Sequence, residues 1–187
     1  MAKQYGFYLD LDRCVQCYAC EVACKAHNGL ELGIKWRRIV SLWAGRYPDV
    51  INRTLTFSCM HCGKPGCVDA CPVGAITKRA EDGIVVVNQG ECTACGACAE
   101  VCPFDVPQFG QDGIMQKCDL CVDRLARGRQ PACVETCPSE ALCFGTLEEL
   151  SKLASARPLS GPTQPSMWVS SEKWSVLEPV LPWPSDR

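Results

Sequence analysis

The stretch GECTACGACAEVCPFD, residues 90–105, carries four cysteines within eleven positions, and a proline follows the last of them. Thiols are crowded like this for few physical reasons: disulfide bridging, metal ligation or redox exchange. The spacing of Cys92, Cys95, Cys98 and Cys102 is C-x2-C-x2-C-x3-C-P without interruption. Three cysteines so close make a tight loop able to wrap a centre of several metal atoms. The fourth lies one helical turn beyond the third and is expected to face away from that centre. Pro103 then ends the turn and redirects the chain.

The same crowding recurs three times. Cys14, Cys17, Cys20 and Cys24 form a first group; Cys59, Cys62, Cys67 and Cys71, followed by Pro72, form a second. The opening stretch is the third, and Cys118, Cys121, Cys133 and Cys137, followed by Pro138, are the fourth. Every group opens C-x2-C and closes C-x3-C. Four groups of four leave only Cys143 outside the pattern among the 17 cysteines.

Composition narrows what those thiols do. At 187 residues the chain has room for one domain or two small ones. Its hydrophobic fraction of 47% includes the cysteines, so the conventional core is thin for the length. A secreted disulfide scaffold is one reading of dense cysteine. Against it, MAKQYGFYLDLDRC has neither an apolar core nor a small-residue cleavage site, so no signal peptide is expected. Thiols kept reduced and clustered bind metal. No run approaches the roughly 18 apolar residues of a membrane span. A formal net charge of -2 is too balanced for a nucleic-acid partner.

Spacing decides between metals. Zinc sites pair two separated C-x2-C knuckles around one tetrahedral ion. The third group instead has the run of bacterial two-cluster ferredoxins, in which the fourth cysteine ligates the other cluster. A dithiol relay needs isolated C-x-x-C pairs and fits poorly. Sixteen ligands at four per cubane predict four [4Fe–4S] clusters. Loss of one third-group cysteine would favour a three-iron cluster, but Cys95 is present.

The segments between groups predict an α+β fold. AITKRAEDGIVVVN reads as a short hairpin, with Ile76 and Thr77, a turn at Glu81-Asp82-Gly83, then Ile84 to Val87. It joins the second and third groups into one two-cluster ferredoxin-like unit. YGFYLDLDRC predicts a strand before the first group and ALCFG a matching strand after the fourth, so the outer groups pair across the insert. Thr146 with Glu149 in TLEEL predicts a capping-box helix start. IKWRRIVSLW and NRTLTFSC predict an accessory hairpin. Two ferredoxin-like units are therefore nested: residues 1–58 with 113–155 outside, and 59–112 inside. Residues 156–187, rich in Pro, Ser and Trp, read as an extended C-terminal arm with little core of its own.

In this order and nesting the chain resembles the four-cluster iron–sulfur subunits of molybdopterin oxidoreductases, such as dimethyl sulfoxide, polysulfide, thiosulfate and tetrathionate reductases and some formate dehydrogenases. The resemblance runs from about Tyr5 to Leu150. It rests on CVQCYACEVACKAHNG, KWRR, CMHCGKPGCVDACPVGAI and CDLCVDRLARGRQPACVETCP, above all on the long gap from Cys121 to Cys133. It implies a ligand scheme. Cys14, Cys17, Cys20 and Cys137 would hold one cluster; Cys118, Cys121, Cys133 and Cys24 its partner. Cys59, Cys62, Cys67 and Cys102 would hold the third; Cys92, Cys95, Cys98 and Cys71 the fourth. The first would face a molybdopterin-containing catalytic subunit, and the fourth would lie nearest an integral membrane, quinone-interacting subunit. The related nitrate reductase subunit has tryptophan at a third-group position and a three-iron cluster; this chain does not follow it.

The expected role is electron transfer through four clusters, with no catalytic residue and no small-molecule substrate in this chain. Membrane association through partners, on either face, goes with it. Two other classes stand beside that reading: a polyferredoxin-type carrier serving a hydrogenase or soluble formate dehydrogenase, and a zinc-stabilised scaffold. Lys35, Arg37, Arg38, Arg124, Arg127 and Arg129 either raise cluster potentials or form a solvated or partner-facing basic surface. Cys143 is expected to be a buried small hydrophobe in a strand. His61 is expected to hydrogen-bond locally and His27 to be structural. Trp168, Trp174 and Trp183 read as an interface anchor or as side chains folded back on the chain.

Overall fold

The first apolar run, YGFYLD, becomes β1 (Tyr5–Asp10), whose four central residues are buried. In the computed structural model, which describes residues 3–153, 157–158 and 167–170, it is followed by α1 (Ala19–His27) and the long strands β2 (Arg38–Arg46) and β3 (Asp49–Phe57). Next come α2 (Gly66–Asp69), β4 (Ile76–Lys78), β5 (Val85–Val87), α3 (Ala97–Glu100), β6 (Gln108–Phe109) and β7 (Met115–Gln116). The last elements are α4 (Val122–Leu125), α5 (Ala132–Glu135), β8 (Leu142–Thr146), α6 (Leu147–Ser151), β9 (Arg157–Pro158) and β10 (Met167–Ser170). Short helices and small sheets make this an α+β chain.

β1 pairs antiparallel with β8, from Tyr5 opposite Thr146 to Leu9 opposite Leu142. The strand before the first cysteine group and the strand after the fourth therefore meet, as the sequence predicts. The accessory hairpin is β2–β3, in register from Arg38 opposite Phe57 to Arg46 opposite Asp49. The short hairpin is β4–β5, Ile76 opposite Val87. A further hairpin, β6–β7, has two residues per strand, too few to display an alternating pattern in the sequence. The C-terminal segment, expected to be an extended arm with little core of its own, contributes two strands. β10 pairs in parallel with β1 and antiparallel with β9, completing a sheet ordered β8-β1-β10-β9. The physical reason is that β1 has a second edge, and its backbone groups need partners there too. Trp168 stands opposite Tyr8 in that pairing; Trp174 and Trp183 lie outside the described residues.

The main buried cluster gathers Phe7, Leu9 and Leu11 with Leu42, Leu55 and Phe57 of the hairpin, Ile84, Phe104, Leu120 and Leu142. Cys59, Cys118 and Cys133 belong to it. A smaller one joins Ile76, Val85 and Met115 with Cys98. Thiols thus occupy positions that aliphatic residues fill in an ordinary core.

At β8 the chain passes straight into α6 through the expected capping box. Thr146 Oγ1 accepts from the Glu149 N–H at 3.2 Å, and the Glu149 carboxylate accepts from the Thr146 N–H at 2.8 Å. Thr146→Ala removes half of this reciprocal pair, an N-cap loss of about 1 kcal/mol. Amide exchange within α6 is then expected to quicken roughly fivefold, measurable by hydrogen–deuterium exchange; unchanged protection would contradict the role assigned to the cap.

Candidate metal centres

Each group begins with the same backbone device. The residue just before the second cysteine takes a left-handed conformation: Gln16 (φ 55°), His61 (φ 40°), Ala94 (φ 56°) and Leu120 (φ 60°). None is glycine, so each turn carries conformational strain of the kind concentrated at functional sites. The turn curls the C-x2-C loop so that both thiols face one space.

A second device follows the cysteine–proline pairs. After Cys71, Cys102 and Cys137 the chain closes a β-turn with proline at its second position. Gly74, Asp105 and Glu140 each donate their N–H to the cysteine carbonyl at 3.2 Å. These same three residues are left-handed, at φ 66°, 49° and 51°. Proline has no N–H, so the next amides turn toward the sulfur. Val73, Gly74, Ala75 and Ile76 direct N–H groups at Cys71; Phe104 and Val106 at Cys102; Ser139, Ala141 and Leu142 at Cys137. At Cys71 and Cys137 burial pushes the thiol pKa up, yet these donors outweigh it and leave the net shift downward. At Cys102 burial prevails and the shift is upward.

Two thiol quartets line cavities, each drawing three members from one group and one from another, and two further sets of thiols lie within electrostatic reach of one another. Cys14, Cys17, Cys20 and Cys137 line one cavity, beneath Leu9 and Leu142. Cys71, Cys92, Cys95 and Cys98 line another, closed by Ile76, Phe109 and Met115. Cys24 lies within electrostatic reach of Cys121, Cys133 and Cys118. Cys67 has the same relation to Cys59, Cys102 and Cys62. Burial pushes Cys24 and Cys67 up to about 12 and Cys121 to about 11, so these thiols keep their protons until a metal displaces them. All 17 cysteines are free of disulfides.

Cys102 does not line the cavity of Cys92, Cys95 and Cys98, in keeping with its expected orientation. Cys20 and Cys24 sit four apart on α1 and therefore share a helix edge. Along the helix they are separated by the rise of about one turn, roughly 6 Å. That displacement is enough to deliver the two thiols to different quartets.

Among the described residues no three His, Cys, Asp or Glu side chains converge tightly enough to hold a single ion. The buried cations bear on the kind of occupant. Arg37 is 1% exposed. Burial opposes its charge, but negative charge on the sulfurs of Cys133, Cys118, Cys20 and Cys24, such as metal ligation would place there, outweighs this and pushes its pKa up. Its guanidinium donates to Thr56 Oγ1 at 3.4 Å and Ser58 Oγ at 3.2 Å and lies 4.3 Å from the centre of the Phe7 ring. The Thr56 hydroxyl is itself 3.4 Å from Cys20 Sγ. The Nε–H of Arg37 is buried with no acceptor among the described residues. An anionic, thiolate-ligated cluster is the kind of group that completes such a site.

The other basic residues divide between the two readings. Lys35 is exposed and paired with Glu21 at 2.6 Å; Arg38 reaches the Phe104 and Asp105 carbonyls. Arg124 is buried against Glu135 and the Gln130 carbonyl, while Arg127 and Arg129 are exposed. Two cations went unrecognised in the sequence. Lys78 donates to the Cys62 carbonyl at 2.9 Å, and Lys117, 4% exposed, donates to the Val85 and Cys118 carbonyls. The only signal for Lys117 was its place directly before Cys118. His61 accepts from the Val85 N–H at 3.0 Å, and burial followed by Lys117, Lys78 and Arg37 holds it neutral. His27 bonds Asp123 at 3.2 Å, tying α1 to α4. Both are structural, as expected. Cys143 is only half-buried, its Sγ 3.7 Å from the Glu140 carbonyl; this corrects the expectation of full burial and leaves it outside the quartets. It sits on β8, at the edge of the four-stranded sheet.

The family description "4Fe-4S dicluster domain" matches residues 52–147, and "4Fe-4S binding domain" matches residues 11–27. The sequence is 42% identical over 172 residues to a subunit of the anaerobic dimethyl sulfoxide reductase of Escherichia coli (strain K12), covering 85% of this chain and 83% of the relative. It is 41% identical over 157 residues to the thiosulfate reductase electron transfer subunit of Salmonella typhi, covering 80% and 79%. It is 38% identical over 167 residues to the formate dehydrogenase-O iron-sulfur subunit of Escherichia coli (strain K12), covering 80% of this chain and 55% of the relative.

Proposed function

The chain belongs to the 4Fe-4S dicluster family of iron–sulfur electron-transfer subunits, and from that premise we propose that it conducts electrons through four [4Fe–4S] clusters between a molybdopterin-containing catalytic subunit and a membrane-embedded, quinone-interacting subunit. The observation that carries this reading is the set of four mixed thiol quartets, which engages sixteen of the cysteines. In the proposed assignment each quartet holds one cluster: Cys14, Cys17, Cys20 and Cys137; Cys24, Cys118, Cys121 and Cys133; Cys59, Cys62, Cys67 and Cys102; Cys71, Cys92, Cys95 and Cys98. Residues 1–58 with 113–155 would form the outer ferredoxin-like unit, 59–112 the inner one, and 156–187 a C-terminal arm.

Bound clusters supply one-electron carriers; the polypeptide sets their order, dryness and potential. Leu9, Leu142, Ile76, Phe109 and Met115 exclude water from the first and fourth cavities. Backbone N–H groups beyond Cys71, Cys102 and Cys137 stabilise negative charge on those sulfurs, which favours the reduced state. Two of the cysteines are exposed, Cys17 and Cys95, one in each of the quartets assigned to the ends of the path. Electrons entering or leaving there need not cross a thick insulating layer. No side chain is asked to do acid–base work, so chemistry on the substrate belongs to the partner. Among the described residues no helix is long and apolar enough to cross a membrane, so attachment to the membrane would come through the partner subunits. The carrier reading tied to formate dehydrogenase is weaker, because the chain spans little more than half of that relative.

Anaerobically purified protein is expected to contain about 16 iron and 16 acid-labile sulfide per chain. Preparations that saturate at half those values would overturn the four-cluster assignment, and a colourless zinc-loaded protein would overturn the function. Co-purification with a large molybdopterin-containing subunit tests the partner.

A further inference from the structure

We propose that Arg37 is a shared positioning charge for two of the four centres, one guanidinium raising the potentials of both the Cys14/Cys17/Cys20/Cys137 cluster and the Cys24/Cys118/Cys121/Cys133 cluster. The inference rests on the cluster reading above and adds a role for a residue that ligates nothing. Arg37 is sealed at 1% exposure within electrostatic reach of Cys20 in one quartet and of Cys24, Cys118 and Cys133 in the other, and the hydrogen bonds of its guanidinium go to neutral hydroxyls. Phe7 supplies a ring face at 4.3 Å, and Thr56 and Ser58 supply hydroxyl oxygens. Among the described residues no carboxylate pairs with it, so its charge is not consumed locally. The Thr56 hydroxyl connects it to Cys20 Sγ, and its buried Nε–H is left for an acceptor that the polypeptide does not provide.

Each oxidised cluster with its four thiolates carries about two negative charges, and reduction adds one more. A fixed cation in a dry site favours that added electron, and its influence is screened far less than that of a surface charge. The fourth quartet offers an internal reference. Besides the four cysteines its cavity is lined by uncharged residues such as Thr93, Phe109 and Met115, with no lysine or arginine among the lining residues. The third has its own cations in Lys78 and Lys117. Exposed Lys35, Arg127 and Arg129 cannot substitute for Arg37.

The test compares Arg37→Gln with Arg37→Lys in the intact complex, by iron analysis and potentiometric titration followed by electron paramagnetic resonance. Arg37→Gln is expected to lower the midpoint potentials of the two named clusters by at least about 59 mV, a tenfold change in the one-electron equilibrium. Arg37→Lys should largely restore them, and the Cys71/Cys92/Cys95/Cys98 cluster should not move in either variant. Loss of the two named clusters from Arg37→Gln with their retention in Arg37→Lys would equally support a need for the charge. Loss from both variants would show that shape rather than charge is required and would overturn the inference. So would full iron with unshifted potentials, an outcome that leaves the four-cluster reading intact. Wild-type protein short of four clusters would instead overturn that reading.

Discussion

Anaerobic chelation of iron is expected to abolish cooperative thermal unfolding and leave a chain that is largely unfolded or aggregated. The main buried cluster contains Cys59, Cys118 and Cys133 among its members, and Cys14, Cys20, Cys62, Cys102 and Cys137 pack against it. Aliphatic side chains do not fill the spaces between those thiols. Structural metal binding supplies about 10–16 kcal/mol in small zinc domains. The net stability of a whole domain is about 5–15 kcal/mol. Metal binding of that order is as large as the whole net stability of a domain. The loops point the same way: left-handed Gln16, His61, Ala94 and Leu120 are held in strained turns that lose their restraint once the metal is gone. Calorimetry and circular dichroism on the apoprotein check this. A sharp, reversible transition close to that of the holoprotein would overturn it.

Replacing the cysteine of one cysteine–proline pair by serine is expected to damage a centre built mainly by a different cysteine group. Cys102→Ser should deplete or convert the cluster of Cys59, Cys62 and Cys67, and Cys71→Ser that of Cys92, Cys95 and Cys98. Iron should fall from about 16 toward 12 per chain where the cluster is lost. The expected specificity rests on proximity in the fold: Cys71 shares a cavity with Cys92, Cys95 and Cys98, and Cys67 has Cys102 as a close electrostatic neighbour. By the same logic Cys137→Ser acts on the first group's centre and Cys24→Ser on the fourth's. Cluster-resolved electron paramagnetic resonance distinguishes the outcomes. A Cys102→Ser protein that loses the signal of its own group, with the second group's untouched, would refute the crossed assignment.

The kind and number of centres were legible in the residues alone, because ligand chemistry is local. Four repeats of C-x2-C with C-x3-C state how many thiols a loop can present and how far apart, whatever the rest of the chain does. The strands at YGFYLD and LCFGT, the hairpin between the first two groups and the Thr146–Glu149 cap were legible for the same reason, since each is written in neighbouring residues. The spacing by itself left open which group's last thiol joins which quartet; the family resemblance implies an assignment, and two cavities in the fold gather Cys137 with the first group and Cys71 with the third. Nor could composition separate Arg37 from five other basic residues. KWRR places Arg37 and Arg38 side by side, yet one is sealed among thiols and the other reaches carbonyls at the surface. Lys78 and Lys117 drew no notice, because a buried lysine looks like a solvated one until its surroundings are known. The parallel seat of β10 beside β1 was equally invisible, since a four-residue strand earns its place only from the edge it meets. Local chemistry determined what the chain binds; burial and long-range pairing, which depend on residues distant in sequence, decided how those sites share ligands and charge.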